Sequence, residues 1–154
     1  MAKKLRLKID YFDEYHLLAI ASHMKDYRMA YCINQKVGSH LKKFDDLAVG
    51  NSEEDHYSWY FCYEKEDHST LYLISNSNGI RHLIPTKREI DYFLLIKNAV
   101  NEVKVGELAR QVREVENVIG VFQMDMTTIK DMDVLLEIIE LHEMEQLKNK
   151  TKQK

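Results

Sequence analysis

The polar and apolar positions of the chain follow two kinds of repeat, and their order outlines a fold. Leu5, Leu7 and Ile9 alternate with Arg6, Lys8 and Asp10, the period-two pattern of a half-buried strand whose lysines suit a sheet edge. Leu17 to Ala21 is a short apolar run that reads as a buried second strand. Tyr27, Ala30, Tyr31, Asn34 and Val37 then recur at three- and four-residue spacing, which predicts a helix over residues 24–37. Ser22 or His23 is its expected cap, and Gly38 supplies the left-handed residue that closes it.

Leu41 to Val49 reads as a strand or an irregular arm, and Gly50 to Asp55 as a solvated loop. From Tyr57 to Tyr63 aromatic residues occupy both parities, so both faces of that strand are expected to be covered. Glu64 to Ser69 turns the chain, and Leu71 to Ile74 returns as the hairpin partner. Asn78-Gly79 marks a tight turn before another short extended piece, Ile80 to Ile84. This half is an antiparallel meander.

Ile90 to Ile96 is apolar at nearly every position, so periodicity does not separate a strand from a buried helical turn; its β-branched and aromatic content favours a strand. Val105, Leu108, Ala109, Val112 and Val115 mark an amphipathic helix, and Val118 to Phe122 a strand after it. Strand, helix and strand make a βαβ unit with parallel strands and a right-handed crossover, ferredoxin-like in its order. From Thr128, the residues Ile129, Met132, Leu135, Leu136 and Ile139 form one apolar stripe of a helix capped by Thr127 or Thr128, continued less cleanly by Leu141, Met144 and Leu147. The expectation is an α+β fold: an antiparallel β-meander with a helix in the N-terminal half, a ferredoxin-like βαβ unit, and a C-terminal amphipathic helix. It forms a single domain over residues 1–147, and the Lys-rich run 148–154 is polar enough to be disordered.

A chain of 154 residues with 45% hydrophobic and 31% charged content is long enough to bury a substantial core. The net charge of −3 argues against a dedicated nucleic-acid binder, whose footprint is a concentrated basic face. Both ends are nevertheless basic, with Lys3, Lys4, Arg6 and Lys8 at one and Lys148, Lys150, Lys152 and Lys154 at the other. Cys32 and Cys62 sit inside apolar patterns without paired spacing and are expected to be reduced, buried thiols. Nothing in the sequence reads as a signal peptide or a membrane span, so a cytoplasmic location is expected.

The only proline, Pro85, fixes its own φ and pushes the residues before it toward extended geometry, so the chain must turn there. The stretch Ile84-Pro85-Thr86-Lys87-Arg88-Glu89-Ile90-Asp91-Tyr92 resembles the signature of the IPExxxVDY family, small bacterial proteins without an assigned activity. Ile84, Pro85, Asp91 and Tyr92 match its letters, Ile90 replaces Val conservatively, and Thr86 removes the carboxylate of the family's Glu. Length, the Lys25-Asp26-Tyr27-Arg28 stretch and the Asn34 to Gly38 helix end also look like the family. The resemblance implies no mechanism.

Seven histidines lack the spacing that sets two metal ligands on one helical face, and the five glycines are dispersed, so neither a metal nor a nucleotide cofactor is expected. Glu89, Asp91 and Tyr92 are the best acid, base or ligand candidates, because a carboxylate at the edge of an apolar segment and a tyrosine can exchange protons or hydrogen bonds. Arg28 is the expected bidentate partner of Asp91. The aromatic set Tyr57, Trp59, Tyr60, Phe61, Tyr63 and Tyr72 has the makings of a base-stacking sheet, but acidic residues flank it. The function expected is a non-catalytic protein-interaction or self-association module, with a protein partner or a homo-oligomer. The alternatives are an RNA-associated accessory protein, and a small-ligand binder or enzyme centred on Arg28, Glu89, Asp91 and Tyr92.

Overall fold

The computed structural model describes residues 12–98 and 102–152. The strand expected at Leu5 to Ile9 lies outside them. The elements in chain order are β1 (Tyr15–Ser22), α1 (Asp26–Val37), β2 (Lys42–Lys43), β3 (Leu47–Ala48), β4 (His56–Tyr57), β5 (Trp59–Glu64), β6 (Ser69–Ser75), β7 (Tyr92–Lys97), α2 (Glu102–Arg113), β8 (Val118–Met124) and α3 (Met132–Lys152). Short 3-10 turns occupy Glu53–Asp55, Pro85–Lys87 and Met126–Thr128.

Six strands form one sheet in the order β2-β5-β6-β7-β1-β8, every neighbouring pair antiparallel, and β3 pairs with β4 apart from it. A meander is present as β5-β6-β7, with β7 in the place expected for Ile80 to Ile84. Residues 90–96 resolve as two irregular residues, Ile90 and Asp91, and then the strand β7. The βαβ unit is present in split form: β7 and β8 both run antiparallel to β1, hence parallel to each other, and β1 stands between them. Leaving out the arm from β2 to β5, the order β1-α1-β6-β7-α2-β8 is the ferredoxin-like pattern.

Pleat alternation explains the layers. Leu17, Ala19, Trp59, Phe61, Tyr72, Ile74, Phe93 and Leu95 point to one face, where Ile129, Met132, Leu136 and Ile139 close over them from α3 and the turn before it. Leu18, Ile20, Tyr60, Cys62, Leu71, Leu73, Leu94 and Ile96 point to the other, against Met29, Ala30 and Ile33 of α1 and Val105, Ala109 and Val112 of α2. The aromatic run is therefore covered on both sides, as its double parity predicts. Neither cysteine is in a disulfide: Cys62 is buried and its thiol donates to Glu64 Oε1 at 3.2 Å, whereas Cys32, also expected to be buried, is half-buried.

Several local expectations are corrected. Helix α1 starts at Asp26 and has no side-chain cap, because the Ser22 hydroxyl accepts the Met24 N–H at 3.2 Å and donates to the Asn117 carbonyl at 2.9 Å. Its far end is as read: Gly38 has φ +82° and its N–H reaches the Asn34 carbonyl at 2.8 Å. Ile80 to Ile84 forms no strand, only a bridge between Ser77 and His82 around a turn in which Gly79 has φ +90°. Thr127 and Thr128 lie in a 3-10 turn capped by Asp125, and α3 begins only after Asp131. Helix α3 then extends to Lys152, into the Lys-rich stretch that composition marks as too polar to order.

The weight of α3 on the sheet is measurable. Leu136 is fully buried, so Leu136→Ala should cost about 3 kcal/mol in urea unfolding, whereas Leu141→Ala, 57% exposed, should change stability by less than about 0.5 kcal/mol.

Candidate functional site

The chain between β6 and β7 must cross the end of the sheet through a loop without regular hydrogen bonding, and one buried side chain organises that crossing. Asn76 is 0% exposed. Its Nδ2 donates to the Lys87 and Ile90 carbonyls, both at 2.8 Å, and its Oδ1 accepts the Ile84 N–H at 2.9 Å. Its own backbone N–H donates to the Asp91 carbonyl at 2.9 Å, and its carbonyl accepts from Leu83 N–H at 2.7 Å. The carboxamide thus pins both ends of the Ile84–Tyr92 stretch and uses its main hydrogen-bonding capacity in doing so.

Asp91 and Tyr92 of the motif are engaged in the same way. Asp91 Oδ2 accepts the Ser22 N–H at 2.8 Å, and the Asp91 N–H donates to the Ile20 carbonyl at 2.9 Å, so the residue ties the start of β7 to the end of β1. Tyr92 is buried among α1 and the strands, and its hydroxyl donates to the Met24 carbonyl. Burial first, and then the charges of Asp26 and Asp91, push that hydroxyl up to about 12. The expected Arg28–Asp91 pair does not form: Arg28 is exposed on α1, and a backbone N–H takes the carboxylate instead. Glu89 is exposed on the loop. Of the four predicted residues, the structure brings Asp91 and Tyr92 to the seam between β1 and α1, and leaves Arg28 and Glu89 at the surface.

The Lys25–Arg28 stretch is anchored through Asp26. Its carboxylate accepts from the Tyr60 hydroxyl at 3.0 Å and pairs with Lys43 at 3.3 Å. Burial raises that carboxyl, but hydrogen bonds from Ser58 and Tyr60 and the Lys43 cation outweigh it and hold it below the usual range.

What the junction leaves open is mostly apolar. On its outer side lies a groove of about 390 Å³, with Leu83, Ile84 and Pro85 on one bank and Val134, Leu135 and Ile138 of α3 on the other; Thr86, Lys130 and Asp131 are its polar lining. Val134 is 48% exposed, and the surface continues along α3 through Leu141 and Met144, 57% and 66% exposed. Val134 and Leu141 are exposed and seven positions apart on the outer side of α3, and Ile138 between them is half-buried against the core beside the groove. The opposite side of the helix is fixed by polar contacts as well as by its core residues. Tyr15 donates to Glu140, Tyr72 donates to Glu143, His142 Nε2 contacts the Asp45 carbonyl at 2.8 Å, and the His142 and Trp59 rings meet edge to face at 4.5 Å.

A second cavity, about 240 Å³, lies between α1, α2 and the β5–β6 turn and includes Glu64, Glu66, Asp67 and Glu107; Lys104 in its wall is bonded to Asp67. Among the described residues, no three His, Cys, Asp or Glu side chains gather as metal ligands. Sequence reasoning missed Asn76 and the groove. An isolated Asn before a turn carries no distinguishing signal, and a groove between distant segments has no local pattern. No protein-family model and no curated protein matches the chain.

Two measurements test this reading of the junction. Asn76→Ala strands two buried carbonyls and one N–H, so it should cost about 3 kcal/mol or more in urea unfolding, against less than about 0.5 kcal/mol for Thr86→Ala on the exposed face of the loop. The raised Tyr92 hydroxyl, and the Tyr72 hydroxyl raised by burial and by Glu143, stay neutral in the fold after an unfolded tyrosine ionises near pH 10. Their stabilisation is whole below pH 10 and lost as pH climbs, for Tyr92 through about 12, so the melting temperature should fall over that interval and fall less steeply in Tyr92→Phe.

Proposed function

We propose that the protein is a non-catalytic contact module that receives an apolar helix face of a protein in the groove between Leu83–Thr86 and α3. The observation that carries this reading is the exposed pair Val134 and Leu141 of α3 beside a groove whose lining is mostly apolar. Exposed apolar residues beside a groove are characteristic of interaction sites, and positions seven apart on one side of a helix suit helix-in-groove recognition. The Asp91 carboxylate, the Tyr92 hydroxyl and backbone groups of Ile84, Lys87 and Ile90 are meanwhile spent on holding the chain. On the letters Ile84, Pro85, Asp91 and Tyr92 we also assign the chain to the IPExxxVDY family, and we assign it to the cytoplasm. Among the described residues no helix is long and apolar enough to cross a membrane.

The other two readings draw less support. A stacking surface for RNA needs open aromatic faces, and of the six aromatics considered only Tyr63 is exposed. A small-ligand site at the junction needs Asp91 and Tyr92 to face a cavity, whereas they bond to the Ser22 N–H and the Met24 carbonyl.

Affinity capture from the native cytoplasm, with the tagged protein and its Val134→Glu/Leu141→Glu variant side by side, tests the module reading. A protein held in stoichiometric amount by the wild type should survive ribonuclease and fall at least about tenfold with the variant, since two carboxylates must be desolvated in the groove. Equal capture by the variant, or loss on ribonuclease, contradicts it.

A further inference from the structure

We infer that Arg113 guards the free edge of the sheet, keeping β8 of a second copy of this chain from pairing with it. Among the described residues β8 has a strand, β1, on one side only. It carries no charged residue from Val118 to Met124, and Ile119 and Phe122 are 67% and 54% exposed. Such an edge is a row of backbone donors and acceptors on which a further strand can grow. The opposite edge is protected by its own sequence: β2 is two residues long and both are lysines, Lys42 and Lys43. Strand β8 has no such charge, and its protection comes from the helix before it.

Arg113, the last residue of α2, donates to the Val121 carbonyl from Nε at 3.1 Å and from Nη2 at 2.9 Å. That carbonyl faces the open side of the strand. Ile20, across from Val121 in β1, accepts the Asp91 N–H on its own carbonyl at 2.9 Å, on the β7 side. The N–H and C=O of a strand residue point the same way, so the Ile20–Val121 pair makes no hydrogen bonds and Val121 presents both groups outward. The register with β1 also shifts between Ala21 and Ser22, which leaves Ile119 unpaired and Gly120 to Met124 as the regular stretch. Val121 lies within it. Among the described residues the guanidinium has no carboxylate partner, so a strand arriving there must displace it or strip the water from an unpaired cation.

Without the guard, the strand of this chain that fits the edge is β8 of a second copy, because the other edge would bring its lysines into the pairing. In the antiparallel register centred on Val121, Phe122 of each copy lies across from Gly120 of the other, a ring beside a position without a side chain. The two Val121 residues then exchange hydrogen bonds, and the acceptor in that exchange is the carbonyl that Arg113 holds. No charge on either strand opposes the pairing, so the guanidinium is what stands against it.

Sedimentation velocity on the full chain over a concentration series, with circular dichroism of the same samples, tests the guard. Arg113→Ala should keep the folded spectrum and self-associate with a dissociation constant at least about tenfold below that of the wild type. Arg113→Ala with Gln123→Lys, which returns a cation to an exposed position of the edge, should sediment as the wild type does. Where Arg113→Ala loses the folded spectrum, Arg113→Met, which keeps an unbranched stem without the charge or the donors, takes its place with the same expectation. Association no tighter than that of the wild type, association that Gln123→Lys leaves intact, loss of the fold in both Arg113 variants, or a dimeric wild type that Gln123→Lys alone makes monomeric would each overturn the inference.

Discussion

The sheet is apolar on both of its faces, and the rest of the molecule is arranged to keep water off each of them. Burying one face of a sheet requires one layer of helix or sheet; burying both requires two. The split order of β1, β7 and β8 sends α1 and α2 to the same side, where they meet Leu18, Ile20, Leu73 and Leu94. The other side, with Trp59, Phe61, Tyr72 and Phe93, has no crossover helix of its own, and α3 fills that place. The C-terminal helix is therefore part of the domain, held there by Leu136 and Ile139 and by tyrosine hydroxyls that reach its glutamates. Only the side of α3 turned from the sheet is left to meet anything else.

The Ile84–Tyr92 junction is the second constraint, and it connects structure to the proposed role indirectly. A long loop across a sheet end needs partners for its backbone groups, and Asn76 supplies several of them from one buried carboxamide. Pro85 starts the 3-10 turn of this loop, and Asp91 closes it onto β1. Once pinned, Leu83, Ile84 and Pro85 stand as a fixed bank opposite Val134 and Ile138. The motif then shapes the groove, to which Thr86 is its one polar lining residue.

Much of this was legible in the sequence because period and turn chemistry are local. The two parities of the aromatic run announced a strand covered on both sides, and Gly38 marked the end of α1. The split of the βαβ unit was not legible, since β1 enters between β7 and β8 from far away in the chain. Helix starts were misread where a nearby hydroxyl had a better partner: Ser22 turns to Asn117 and Met24, and Thr127 to Asp125. Charge alone matches Arg28 to Asp91, but a backbone N–H in the right place satisfies the carboxylate first. Asn76 carried no signal because its partners are spread over the following loop, and its value lies in burial that only the fold confers.

If the protein makes its contacts through the outer side of α3 and the bank beside it, while Asp91 and Tyr92 serve the fold, the perturbed amides must lie there and not at the junction. Backbone amide NMR shifts of the isotopically labelled full chain, over a range of dilutions and on adding a captured partner, map them. Shifts gathered on residues 83–86 and 130–148, with Asn76, Asp91 and Tyr92 unmoved, are the predicted result. Shifts confined to β8, shifts centred on Asn76 and Asp91, or none at any concentration together with none on adding a captured partner, would contradict it.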